Sequence, residues 1–93
     1  MKAIFNNVVI AQSEHPVVIE GNYYFPLESV NSDYLSETSH HSTCPWKGEA
    51  SYYTVKVNDE ISENAAWSYK NPKDAAKEIK NHVAFWKNVS VKE

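Results

Sequence analysis

The sequence predicts a small, mainly β domain: an antiparallel sheet or partly closed barrel with one α-helix in its C-terminal half. Three observations carry that expectation. Short β-type runs recur along the chain with turn signals between them. Aromatic residues make up 13% of it (6 Tyr, 3 Trp, 3 Phe), and these residues suit strands and binding surfaces better than helical bundles. Only the stretch after Asn71 combines a cap with helical periodicity.

Taken in order, Lys2 to Phe5 and Val8 to Ala11 flank Asn6-Asn7, a pair that tolerates the left-handed conformation of a tight turn, and they read as a hairpin. Ser13-Glu14-His15-Pro16 is a loop. Val17 to Glu20 and Tyr23 to Pro26 flank the stronger turn signal Gly21-Asn22, and Pro26 ends its strand or holds it at an edge. Residues 28 to 43 are dominated by Ser, Thr, Asn, Asp and His, so they read as irregular, with a short strand around Asp33 to Ser36. Glu49 to Val57 is the best strand. Ala50, Tyr52, Thr54 and Lys56 share one face, and Ser51, Tyr53, Val55 and Val57 the other. Asn58-Asp59-Glu60 is a turn from which Ile61 to Tyr69 can pair back.

In the expected helix, Asn71 is the N-cap, Pro72 takes the first position and Asp74 places negative charge in the first turn. Ala75, Ala76, Ile79 and Val83 then form its buried face. Val83 to Trp86 and Val89 to Val91 read as closing strand. Closing the sheet or covering it would protect its edges.

A chain of 93 residues makes one domain, residues 1 to 93, with one small core. Its net charge is −3 and it contains no arginine, which argues against nucleic acid as a partner. Its one cysteine can form no internal disulfide, which fits a reducing compartment. The N-terminal residues lack the apolar core of a signal peptide, and no 18-residue apolar run exists, so a cytoplasmic protein without membrane contact is expected.

Four segments, EGNYYFP at 20–26, TCPWKGEASYY at 43–53, AWSYKNP at 66–72 and AFW at 84–86, resemble the domain-of-unknown-function family 427. The resemblance runs from about Phe5 to Val91. It implies a small β domain of the β-tent or Mss4-like kind. The family also carries a nucleotidyltransferase label, which these residues support poorly. Two-metal nucleotidyl transfer needs clustered carboxylates, whereas Asp33, Asp59 and Asp74 are isolated. With 2 glycines in the chain, there is no glycine-rich phosphate loop. Zinc sites implied by that fold group use two Cys-x-x-Cys pairs, which a single cysteine cannot supply. His40, His41 and Cys44 lack a fourth ligand, and adjacent strand residues point to opposite faces. No metal or other cofactor is expected.

The residues leave three functions open. The favoured one is a ligand-binding module for a small molecule or peptide end. Its cleft is lined by Trp46, Lys47, Tyr52, Trp67 and Tyr69, with Glu20 as a second charge. The competing reading of the rings is plain core, and the two agree if the cluster is open at one end. The second is a thiol-dependent enzyme with Cys44 as nucleophile, His40 or His41 as base and Lys47 lowering the thiol pKa. Against it, Cys44 also reads as a small packing residue. The third is a structural or interaction protein, a homodimer formed through an edge strand or Trp86.

Overall fold

The computed structural model describes residues 1–93, and it is built almost wholly from strands. These are β1 (Lys2–Phe5), β2 (Val8–Gln12), β3 (Val17–Ile19), β4 (Asn22–Pro26), β5 (Leu35–Cys44), β6 (Gly48–Val57), β7 (Glu60–Ser68), β8 (His82–Phe85) and β9 (Ser90–Lys92). They form two antiparallel sheets, a three-stranded one ordered β2-β1-β9 and a six-stranded one ordered β3-β4-β8-β7-β6-β5. The sheets are open, so the partly closed barrel expected from the sequence is not formed. No helix is long and apolar enough to cross a membrane.

The hairpin turns follow local chemistry. Asn6 and Asn7 both adopt positive φ (50° and 63°), as a two-residue turn between twisted strands requires. Asn58 does the same between β6 and β7, at φ 56°. The β3–β4 turn falls one residue earlier than the Gly21-Asn22 signal. Glu20 and Gly21 carry its positive φ values (54° and 81°), and Ile19 pairs with Asn22.

The four central strands of the six-stranded sheet, β4, β8, β7 and β6, are packed on both faces. On one face Phe25, Val55, Ala66, Val83 and Phe85 pack with Ala3, Phe5, Ile10 and Ala11 of the small sheet, forming the larger core. Phe25 and Phe85 meet edge to face at 5.8 Å. On the other face Tyr24, Ala50, Trp67, Tyr69 and Ala84 form a second core with Ala76 and Ile79. The alternation of β6 works as expected, with Ala50 and Val55 fully buried on opposite sides.

Two expectations need correction. The expected α-helix is instead a run of 3₁₀ turns over Asp74–Ile79, kinked at Ala76. Asn71 does not cap it; Lys73 precedes it. Ala76 and Ile79 are both fully buried, but a spacing of three residues serves a 3₁₀ turn as well as an α-helix. A helix this short gains too few hydrogen bonds to offset nucleation. Asn81 then turns the chain at φ 62°, and Val83 enters β8, where pairing with β4 and β7 takes precedence over helical spacing. The second correction concerns residues 28 to 43. Leu35–Cys44 is a ten-residue edge strand, because it pairs with β6 from Leu35↔Val55 to Cys44↔Gly48.

Candidate functional site

The second core is open at one end, where Asn22, Tyr24, Lys47, Tyr52, Trp67, Tyr69 and Trp86 surround a cleft of about 290 Å³. Its walls come from several strands. Tyr52 of β6 lies directly across from Trp67 of β7, which lies across from Ala84 of β8. Ala84 is small, and the space above it is filled by rings.

That alignment depends on a bulge. Carried forward from the β6–β7 turn without interruption, the register would set Tyr52 opposite Ala65. Instead Glu63, Asn64 and Ala65 of β7 face only Thr54, and the extra residues bring Trp67 opposite Tyr52. A matching bulge in β5 sets Thr38, Ser39 and His40 against Tyr52 alone. The two bulges are tied together across β6. Thr38 Oγ1 donates to Asn64 Oδ1 at 2.7 Å, and Asn64 sits at φ 53°, a conformation asparagine tolerates. The Asn64 carbonyl accepts from Trp86 Nε1 at 2.6 Å, which fixes the outer indole. The His40 ring, raised by its bulge, stacks edge-on to Tyr52 at 4.6 Å.

The rings form a connected group. Tyr24 meets Trp67 edge to face at 6.1 Å and accepts its Nε1–H at 3.2 Å. Trp67 meets Trp86 edge to face at 6.0 Å and Tyr52 at 6.4 Å. Trp67 is nearly buried whereas Trp86 is 46% exposed, so one indole is floor and the other rim.

Into this aromatic wall projects one cation. Lys47 is only 6% exposed, unusual for a lysine. Gly48, at φ 113°, turns the chain behind it, and a Cβ there would touch the Asn71 carbonyl. The Lys47 carbonyl accepts from Lys73 N at 2.9 Å, which anchors the loop from outside. The ammonium lies 5.4 Å from the Trp46 ring centre and 5.7 Å from that of Tyr69. Its ion-pair partner is Glu20, whose side chain is 56% exposed on the β3–β4 turn.

Burial disfavours the Lys47 ammonium, but the Glu20 hydrogen bond and the nearby Tyr24, Tyr69 and Cys44 outweigh it, and the pKa lies above that of ordinary lysine. Hydrogen bonding and charge from Lys47 hold the Glu20 carboxyl below its usual range. Burial pushes the Tyr69 hydroxyl up to about 12, despite the opposing pull of Lys47. These shifts give a stability plateau with two edges. Glu20 contributes above the normal carboxylate pKa, and that contribution is lost as pH falls through its lowered value. Tyr69 contributes below about pH 10, its unfolded value, and that contribution is lost as pH rises toward 12. Lys47 acts in the same direction as Tyr69, beginning above the ordinary lysine pKa. Thermal melts against pH should therefore be flat from about pH 5 to 10 and fall on both sides. In Tyr69→Phe the alkaline fall should be smaller, and an unchanged alkaline limb would refute the assignment.

Of the residues singled out from the sequence, Lys47, Tyr52, Trp67 and Tyr69 line one cleft, with Glu20 and Trp46 in contact with its lysine. Cys44 is partly buried against the second core, and no hydrogen bond joins it to a histidine; His41 Nδ1 is engaged with the Ala50 carbonyl at 3.2 Å. Asn22, Tyr24 and Trp86 were missed as lining residues. Their signals were parity: Tyr24 is two residues from Asn22 on β4, and Trp86 two from Ala84. A larger hollow of about 580 Å³ lies mainly on the other face of the sheet, but its charges are half-exposed, and the buried cation marks the smaller cleft as the candidate site.

A family model described as a domain of unknown function (DUF427) matches residues 1–93. No curated protein matches the chain.

Proposed function

The chain belongs to the DUF427 family, whose description assigns no activity, and we propose from the site itself that it is a ligand-binding module for small planar anions. The observation that carries the reading is a nearly buried ammonium at the mouth of an aromatic cleft. A ligand carboxylate replaces or joins Glu20 at Lys47, and its ring fits against Tyr52, Trp67 and Trp86. A cationic ligand is disfavoured, because the aromatic faces near Trp46 and Tyr69 already hold the protein's own cation. The cleft volume of about 290 Å³ suits a single ring and its carboxylate.

We read Trp86 as the outer wall of this cleft rather than a dimer anchor, since its indole already stacks on Trp67 and donates to Asn64. The two open sheets sharing one core support a β-tent arrangement. The free Cys44 is consistent with a cytoplasmic location.

Titration with benzoate, followed by tryptophan fluorescence, tests the reading. Benzoate should give a saturable change, benzyl alcohol a weaker one and benzylamine none. Equal responses to all three, or none to benzoate, would reject it.

A further inference from the structure

The larger hollow of about 580 Å³ lies mainly on the opposite face of the six-stranded sheet from the aromatic cleft, with Tyr69 bordering both, and it has its own chemistry. Its apolar wall combines the aliphatic Leu27, Leu35 and Val83 with the rings of Tyr53 and Tyr69. Val83 belongs to the larger core and Leu35 packs on it, so the hollow continues that core to the surface. At its floor Tyr53 Oη and Ser68 Oγ share a hydrogen bond of 2.9 Å. Two hydroxyls sharing one bond keep a further donor and free lone pairs. At its rim Lys70 Nζ donates to both oxygens of Glu37, at 2.8 and 2.7 Å.

That ion pair differs from Glu20–Lys47. Both side chains are half-exposed, 52% for Lys70 and 45% for Glu37. Each therefore keeps unused capacity facing outward. Lys70 has three N–H donors, and each Glu37 oxygen can accept more than one bond. The rim thus offers an anion site beside a cation site, above an apolar wall. A ligand with one charge would satisfy one partner and face repulsion from the other. A ligand with adjacent charges of opposite sign satisfies both, turning one ion pair into an alternating quartet with little desolvation of either group.

We propose that this hollow is a second, independent binding site, for a free α-amino acid with an aliphatic side chain. The ligand carboxylate faces Lys70, its ammonium faces Glu37, and its side chain lies on Leu27, Leu35 and Val83. The Tyr53–Ser68 pair takes part through its spare hydroxyl capacity. The volume falls within the range of about 300–1,000 Å³ found for small-ligand sites.

The probe is L-leucine, which has no planar ring for the aromatic cleft, added to the full chain and followed by two-dimensional NMR. Saturable shifts are expected at Tyr53, Lys70 and His82, with the Trp67 indole signal unmoved. N-acetyl-L-leucine and L-leucinamide each lack one charge and should bind at least tenfold more weakly. Lys70→Met and Glu37→Gln should each weaken L-leucine at least tenfold, and both positions are exposed enough to leave the fold intact. The proposal is overturned if L-leucine gives no saturable shift at tens of millimolar. It is equally overturned if N-acetyl-L-leucine binds as well as leucine, or if the shifts centre on Trp67. Failure of this site leaves the benzoate result untouched, because the two use different cations and share only Tyr69 in their linings.

Discussion

Replacing Lys47 with methionine should abolish benzoate binding, by about a hundredfold or more, and leave the domain folded. The two halves of that expectation have different causes. Binding is lost because the cleft has no other cation in its lining. The fold survives because methionine fills the volume of the lysine stem without a charge to desolvate. Breaking a buried pair destabilises when it strands an unpaired buried charge, but here the group left behind is Glu20, which is exposed enough to return to water. The reverse substitution, Glu20→Gln, is the informative contrast. It leaves the Lys47 ammonium nearly buried with no ion-pair partner, and the melting temperature should fall by several degrees. Benzoate should still bind that variant, and at least as tightly, because it no longer competes with the protein's own carboxylate. Fluorescence titration and thermal melts of the two variants read both effects. Wild-type affinity in Lys47→Met would remove Lys47 from the site.

The parts of this site legible in the sequence are those that depend on short-range chemistry. Lys47 precedes Gly48, and a glycine at the head of a strong strand marks a constrained loop, which Gly48 confirms with φ 113°. The alternation of β6 sets Tyr52 and Tyr53 on opposite faces, and Trp67 and Tyr69, two residues apart, share one parity. The parts that were not legible depend on partners far away in sequence. Leu35–Cys44 is too polar to read as a strand, and becomes one because β6 supplies its hydrogen bonds. The bulges at Thr38–His40 and Glu63–Ala65 support each other across 26 residues of sequence through the Thr38–Asn64 bond, which no local pattern announces. Asn64 at positive φ is the one trace of them in the sequence, since asparagine is the side chain that best tolerates it. The helix misreading has the same origin. Ala76 and Ile79 are interior, as their apolar spacing indicates, but that spacing does not distinguish a 3₁₀ turn from an α-helix.

Trp67→Ala should be the most destabilising change at the site, costing about 3–5 kcal/mol. Against a total of roughly 5–15 kcal/mol for a domain, this is a large share of the stability. Trp67 is the only ring in contact with Tyr24, Tyr52 and Trp86 together, so its removal opens a cavity bordered by all three. It also takes the Nε1–H from Tyr24, whose side chain is fully buried. Trp67→Phe separates the two contributions. Phenylalanine keeps much of the ring contact but leaves the Tyr24 hydroxyl without its donor, for a cost of about 1–3 kcal/mol. Denaturant unfolding of the two variants, with Tyr24→Phe and the double variant Tyr24→Phe/Trp67→Phe, isolates the hydrogen bond as a coupling energy. The expected order is Trp67→Ala well below Trp67→Phe, with the double variant losing less than the sum of its parts. If Trp67→Ala lost less than about 1 kcal/mol, Trp67 would be a surface ring rather than the floor of the cleft. The aromatic wall would then lack the rigid base on which a planar ligand must stack.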